Sequence, residues 1–177
     1  SDAAVQKVVQ KVTIYRKKFK VTNYSATYGV GAAKLAREMQ APLQEAKDLL
    51  EAYWKRNWSI RAIAEECVVK RIKGQDWLLN PVSGFWYSLR NEKDRFSTLN
   101  QGTGVFCFDT WVAEVRKKRP QLTAQFHDEV VLEVKIGFRE QAEELLRSAI
   151  QRVNDKLKLN VELGIDVQFG KSYAEIH

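Results

Sequence analysis

The feature that most limits the fold is the distribution of helix breakers. Three prolines and nine glycines punctuate 177 residues, yet none precedes Gly29. Residues 4–28 therefore predict one long helix, closed by Gly29 and Gly31, because glycine past a last turn takes left-handed backbone at no steric cost. A second helix is expected at about 33–39. Pro42 sits where a first helical turn tolerates proline. Leu43, Ala46, Leu49, Leu50, Tyr53 and Trp54 then recur at helical spacing, which predicts a helix continuing to Lys73.

Gly74 marks a change of character. Trp77-Leu78-Leu79 and Phe85-Trp86-Tyr87 flank the turn residues 80–84 and predict a β-hairpin. A helix is expected over 91–118, apolar on most faces around Val105-Phe106-Cys107-Phe108 and hence buried, with Pro120 ending it. Strands follow at 122–126, 129–135 and 160–169. Ala142, Leu145, Leu146, Ala149, Ile150 and Val153 trace one helical face between the last two. The expected class is α+β: a mostly helical lobe over residues 1–90, then an antiparallel sheet with packed helices over 91–177.

Composition narrows the function. A hydrophobic share of 45% supports a real core and excludes a disordered chain. No apolar run exceeds four residues, so no segment is expected to span a membrane and no signal-peptide core opens the chain. Cys67 and Cys107 read as reduced thiols of a cytoplasmic protein. Two histidines, His127 and His177, exclude histidine-rich metal chemistry. Charge is the sharper signal. Residues 1–90 hold 16 basic and 8 acidic side chains, while residues 91–177 hold 13 and 14. The whole basic excess sits in the first half, much of it in Arg16-Lys17-Lys18-Phe19-Lys20, and points to a polyanion partner or to an ordinary solvated helix.

Three constellations carry chemistry. Arg16, Lys20, Tyr24 and Tyr28 are spaced by four, so each step turns the helix by about 40° and rises about 6 Å. Two cations and a ring along one stripe suit a nucleoside triphosphate; lysine stems packed on a core are the alternative. His127-Asp128-Glu129 falls at the tip of a tight hairpin, a rigid mount for a carboxylate that hard divalent cations favour, although Asp is common in turns on its own account. Asn100-Gln101-Gly102-Thr103-Gly104 offers Gln101 to a base edge, or glycines to close helix packing. The five tryptophans are expected mainly in the core.

Together these pieces resemble the family A, polymerase I-type, DNA polymerases. Arg16-x-x-x-Lys20-x-x-x-Tyr24-x-x-x-Tyr28-Gly29 is similar to their motif B helix of the fingers. Phe126-His127-Asp128-Glu129-Val130-Val131-Leu132-Glu133 resembles their motif C hairpin of the palm. Gln101-Gly102-Thr103-Gly104 resembles the segment between them, and the 173–177 tail is similar to the chain end of some phage members. Tyr24 and the compact style point to a phage-type enzyme.

The resemblance implies that Arg16 and Lys20 grip the triphosphate of the incoming nucleotide while Tyr24 lies against its sugar. Tyr28 would sit beneath the templating pair, with Gln101 in the minor groove of the primer-template DNA. Asp128 would ligate catalytic Mg²⁺, with His127 near the primer end and Glu129 in support. The implied reaction joins a dNTP to a primer 3′-hydroxyl. Ser97 stands where the family has Asn, and Gly104 where alanine is usual. Motif A, whose strand brings the other metal-binding aspartate, does not precede motif B, and no thumb is present. The expectation is a C-terminal polymerase portion, beginning at Ser1 instead of methionine, that needs an N-terminal segment for motif A and thumb. The alternative is a non-catalytic DNA-binding module or inactive remnant.

Overall fold

The computed structural model describes residues 2–118 and 120–176. The chain divides into two compact units between Gln101 and Gly102.

In the first unit, α1 (Asp2–Thr27) runs as the breaker-free sequence dictates. Gly29 ends it at φ +71°, with Gly29 N–H donating to the Ala26 carbonyl and Val30 N–H to that of Ser25. This paired closure uses the left-handed freedom of glycine. Only Thr22 and Ala26 of α1 are buried. They pack toward α2 (Ala32–Met39) and α3 (Leu43–Arg56), whose Leu35, Ala36, Met39 and Ala46 form a small core with Val21, Leu49 and Leu50. Three hydroxyls tie α1 down: Thr22 reaches Met39 Sδ at 3.4 Å, Ser25 donates to Glu38 Oε2 at 2.9 Å, and Thr27 meets the Tyr53 hydroxyl at 2.6 Å.

The helix expected to reach Lys73 is shorter. Asn57 interrupts it, α4 (Trp58–Glu66) resumes it, and Val69–Ile72 is the strand β1. Lys73 and Gly74 both have positive φ, at 49° and 83°, and close a two-residue hairpin that sets Ile72 opposite Gln75. Such a turn matches strand twist, and cross-strand pairing overrides the helical spacing upstream. The hairpin expected at Trp77–Tyr87 is present as β2 (Gln75–Leu79) and β3 (Trp86–Leu89), which with β1 form an antiparallel sheet. Asn80, fully buried, shapes the intervening turn: its Oδ1 accepts from the N–H groups of Val82 and Ser83, and its Nδ2 donates to Leu99 O.

A short 3₁₀ turn leads into α5 (Arg95–Arg116). The segment expected to be buried on most faces is not: Cys107 is buried, Phe106 and Phe108 are half-buried, and Val105 is exposed. Tryptophan burial is also rarer than expected. Trp111 alone of the five is buried, and Trp58 is exposed.

The second unit packs α5 against α6 (Arg139–Leu157) through Trp111, Val112, Val115, Leu146, Ala149 and Val153. Leu122, Val130 and Leu132 of the hairpin β4 (Leu122–Phe126) and β5 (Glu129–Leu132) cover this core. A bulge between Leu122 and Ala124 adjusts the register. Glu114 is buried and held by Lys117 at 2.6 Å and Arg152 at 3.0 Å, contacts that pull its carboxyl below the ordinary range. The segment expected as a strand over 160–169 joins no sheet, so among the described residues two strands form here instead of three.

Candidate functional site

The four-spaced row lies on the exposed side of α1. Arg16, Lys20, Tyr24 and Tyr28 are exposed, while Thr22 and Ala26 face the core. Residues two apart on a helix diverge by about 200°, so burying Thr22 and Ala26 turns the row outward. Neither Arg16 nor Lys20 has a carboxylate partner among the described residues, whereas neighbouring Lys18 meets Glu45 at 3.7 Å. The Lys20 ammonium lies 5.8 Å from the Tyr24 ring centroid. Two uncommitted cations beside a solvent-facing phenol are an open anion-and-ring surface.

Tyr28 and Gln101, 73 positions apart, are brought together: Gln101 Nε2 donates to the Tyr28 hydroxyl. Ser97, where the family has Asn, donates its hydroxyl to the Asp94 carbonyl at 3.0 Å and so is spent within its own turn. A Cβ added at Gly104 would meet nothing within 4 Å, which leaves the close-packing reading of that glycine without a neighbour among the described residues.

In the second unit, His127 and Asp128 form the two-residue tip that sets Phe126 opposite Glu129. His127 takes φ +52°, a conformation uncommon outside glycine, and its ring meets Phe126 edge to face at 4.4 Å. Asp128 is exposed, with no hydrogen bond or ion pair to another described residue. Glu129 is committed. Its Oε1 accepts from the Tyr173 hydroxyl at 2.8 Å, and that contact pushes the phenol above its ordinary pKa. Tyr173 is a site neighbour that sequence reasoning gave no role, and a contact spanning 44 positions leaves no local signal.

Among the described residues no group of three or more His, Cys, Asp or Glu side chains could hold a metal ion. Asp128 offers one uncommitted carboxylate, and hard divalent cations take six or more oxygens. This chain's residues therefore do not complete a cation site. The thiols do not offer an alternative nucleophile, since burial pushes both Cys67 and Cys107 upward in pKa. No helix among the described residues is long and apolar enough to cross a membrane.

No family model matches the chain. Its curated relatives include DNA polymerase I of Mycobacterium leprae, 27% identical over 176 residues, and thermostable DNA polymerase I of Thermus aquaticus, 25% identical over 174 residues. DNA polymerase I of Helicobacter pylori is 29% identical over 175 residues. These alignments cover 90%, 90% and 89% of this chain but only 19%, 21% and 19% of the relatives, so the chain spans about a fifth of their length. The polymerase domain of Pol1 from M. smegmatis, solved with DNA primer-template and dNTP, matches 78% of this chain and 27% of its own at 22% identity and a TM-score of 0.63. The fold is α+β and is shared with part of that polymerase domain. By sequence, the chain is related to the family A, polymerase I-type, DNA polymerases across nine tenths of its length.

Proposed function

We propose that the chain contributes the nucleotide-binding face and one catalytic carboxylate to template-directed DNA synthesis. Residues 1–90 act as fingers and residues 91–177 as part of the palm. The observation that carries this reading is the α1 row, on which Arg16 and Lys20 stand exposed without carboxylate partners next to Tyr24. The cations bind the triphosphate, and Tyr24 lies against the sugar. Tyr28, oriented by Gln101, supports the templating pair, and Gln101 touches the primer-template minor groove.

In the reaction, the primer 3′-hydroxyl gives up its proton to water and its oxygen forms a bond to the α-phosphorus while the bond from that phosphorus to the bridging oxygen breaks. Pyrophosphate leaves with the electron pair of that bond. Asp128 would contribute one carboxylate to a Mg²⁺ site completed by a partner segment bearing motif A and thumb. A bound divalent ion there would supply charge stabilisation to the attacking and leaving oxygens. His127 lies near the primer end, and Glu129, fixed by Tyr173, supports the hairpin. The setting is the cytoplasm of a bacterial host, and Tyr24 favours a phage-type source.

Primer extension tests the reading directly. The chain together with the remaining polymerase segment should extend a primer, and the 177-residue chain alone should not. Robust synthesis by the chain alone would overturn it. A non-catalytic DNA-binding module is the competing class; it would bind primer-template yet stay inactive in the reconstituted pair.

A further inference from the structure

The sheet of β1, β2 and β3 turns one face to the core and the other to solvent. Leu78 and Leu89, both buried, mark the inner face. On the outer face the register sets Lys70, Trp77 and Ser88 in one row across the three strands, and Leu79 beside Trp86 in the next. Lys70 and Ser88 are exposed, and the two tryptophans are half-buried. The solvent face of an antiparallel sheet is ordinarily polar. Here it presents two indole rings and a lysine.

The charge on this face has one sign. Residues 67–90 carry four basic side chains, Lys70, Arg71, Lys73 and Arg90, against the single acid Asp76. Asp76 shares the inner face with Leu78 and meets Arg71 at 3.9 Å. The outer face of the three strands thus holds no carboxylate. Neighbouring strands lie about 4.8 Å apart, so the Lys70 side chain must cross β2 to bring its ammonium within 3.6 Å of the Trp86 ring centroid. A cation laid over a ring beside a second ring is the composition of a stacking platform for nucleic acid.

We propose that this face binds single-stranded DNA. Unstacked bases lie on Trp77 and Trp86, while Lys70 and Lys73, in the adjoining turn, take the phosphates. Three strands span about 10 Å and each is about 15 Å long, the scale on which a sheet with exposed rings stacks two or three bases. A duplex fits poorly, because its base faces are already stacked on one another. An apolar protein partner fits poorly too, because it would bury the Lys70 ammonium without an anion. In the free chain Lys70 covers the Trp86 ring. A phosphate is the stronger partner for an ammonium, so an arriving strand draws the cation off and opens the ring to a base. The choice of DNA over RNA rests on the proposed function; the stacking surface does not.

Fluorescence anisotropy of labelled oligo-dT with the 177-residue chain tests the site, with a blunt duplex of equal length as the comparison. Trp86→Ala should weaken oligo-dT binding roughly 5- to 150-fold, the range of one lost base–aromatic stack, and leave duplex binding unchanged. Trp86→Phe should restore most of the loss. Lys70→Ala keeps both rings and gives an independent reading: the slope of log Kd for oligo-dT against log salt should fall by about 0.7. Circular dichroism checks that each variant is folded. A folded Trp86→Ala chain that binds oligo-dT like wild type overturns the proposal, as does a loss shared equally by the duplex. An unaltered salt slope in Lys70→Ala overturns it too, and tighter binding of oligo-U than of oligo-dT overturns the choice of DNA. Primer extension by the chain with the remaining polymerase segment separates the claims. Synthesis without Trp86-dependent binding sinks the sheet site, and Trp86-dependent binding without synthesis sinks the polymerase reading while supporting the site.

Discussion

On α1 the cations Arg16 and Lys20 make no ion pair among the described residues, and at the β4–β5 tip the charged groups are unequally committed. Both cations are exposed, whereas Glu129 is bound by Tyr173 and its neighbour Asp128 is not. A surface that binds a polyanion gains from uncommitted cations, because no internal ion pair must break first. A surface that does chemistry needs a carboxylate held in place, and here restraint comes from the αL turn at His127 and from a tail residue. If binding sits on one region and chemistry on the other, as proposed, substitutions will separate the two.

The largest effect is expected at Asp128. Asp128→Ala in the reconstituted enzyme should lower turnover more than about 100-fold, beyond the 10–100-fold typical of residues one step from a metal. Primer-template affinity, measured by fluorescence anisotropy, should stay close to wild type. Near-normal turnover would remove the hairpin from the chemistry.

Arg16→Ala and Lys20→Ala test the opposite region. Each removes a charge-assisted contact of about 1.5–3 kcal/mol, so the dissociation constant for dNTP should rise roughly ten- to hundredfold. Single-turnover rates at saturating nucleotide should fall much less. A loss confined to the saturated rate would mean that α1 does not hold the triphosphate.

The helical row was legible in the sequence because a period of four residues is local, and Gly29 marks its end. The hairpin tip was legible because His127-Asp128 interrupts two alternating strands. Three features were not. The break at Asn57 and the strand Val69–Ile72 depend on pairing with Gln75–Leu79, which helical spacing upstream does not report. The segment expected as a strand over 160–169 packs Leu163, Ile165 and Val167 on the core, but it joins no ladder among the described residues, and a ladder depends on a neighbouring strand. The Tyr173 contact is purely tertiary.

Tyr24→Phe has a narrower expected effect. If the phenol lies against the sugar, its hydroxyl supplies hydrogen bonding that a missing 3′-hydroxyl would leave unmade. The enzyme with Tyr24 should accept dideoxynucleotides, and Tyr24→Phe should reject them by roughly 5- to 100-fold, the range of one unpaired polar group. The ratio of kcat/KM for deoxy- and dideoxynucleotides measures this. An unchanged ratio would place the nucleotide elsewhere.

Glu114 is a buried residue of the second unit's packing and should affect stability alone. Lys117 and Arg152 hold its carboxyl below 4.5, the ordinary value, so its contribution is present above that value and fades as pH falls through the depressed one. Glu114→Gln should lower stability at pH 7 by about 1–3 kcal/mol and flatten the acid limb of a denaturation series. An unchanged acid limb would show that the pair contributes nothing.

Tyr173→Phe should produce the smallest change and the most specific one. It deletes a single hydroxyl from an exposed contact, so the fold and nucleotide affinity should be unaltered. What it frees is Glu129, one residue from Asp128. If that restraint positions the hairpin, saturated turnover should fall about two- to fivefold with KM unchanged, the scale of one modest hydrogen bond. The pH profile gives a second reading. The Tyr173 phenol titrates above its ordinary value because Glu129 holds its proton. The contact is therefore intact below about pH 10 and lost as pH rises through the raised value. Wild-type turnover should bend downward in that alkaline range, and the Tyr173→Phe enzyme should lack the bend. If both enzymes bend alike, the alkaline limb belongs to another group and Tyr173 only anchors the tail.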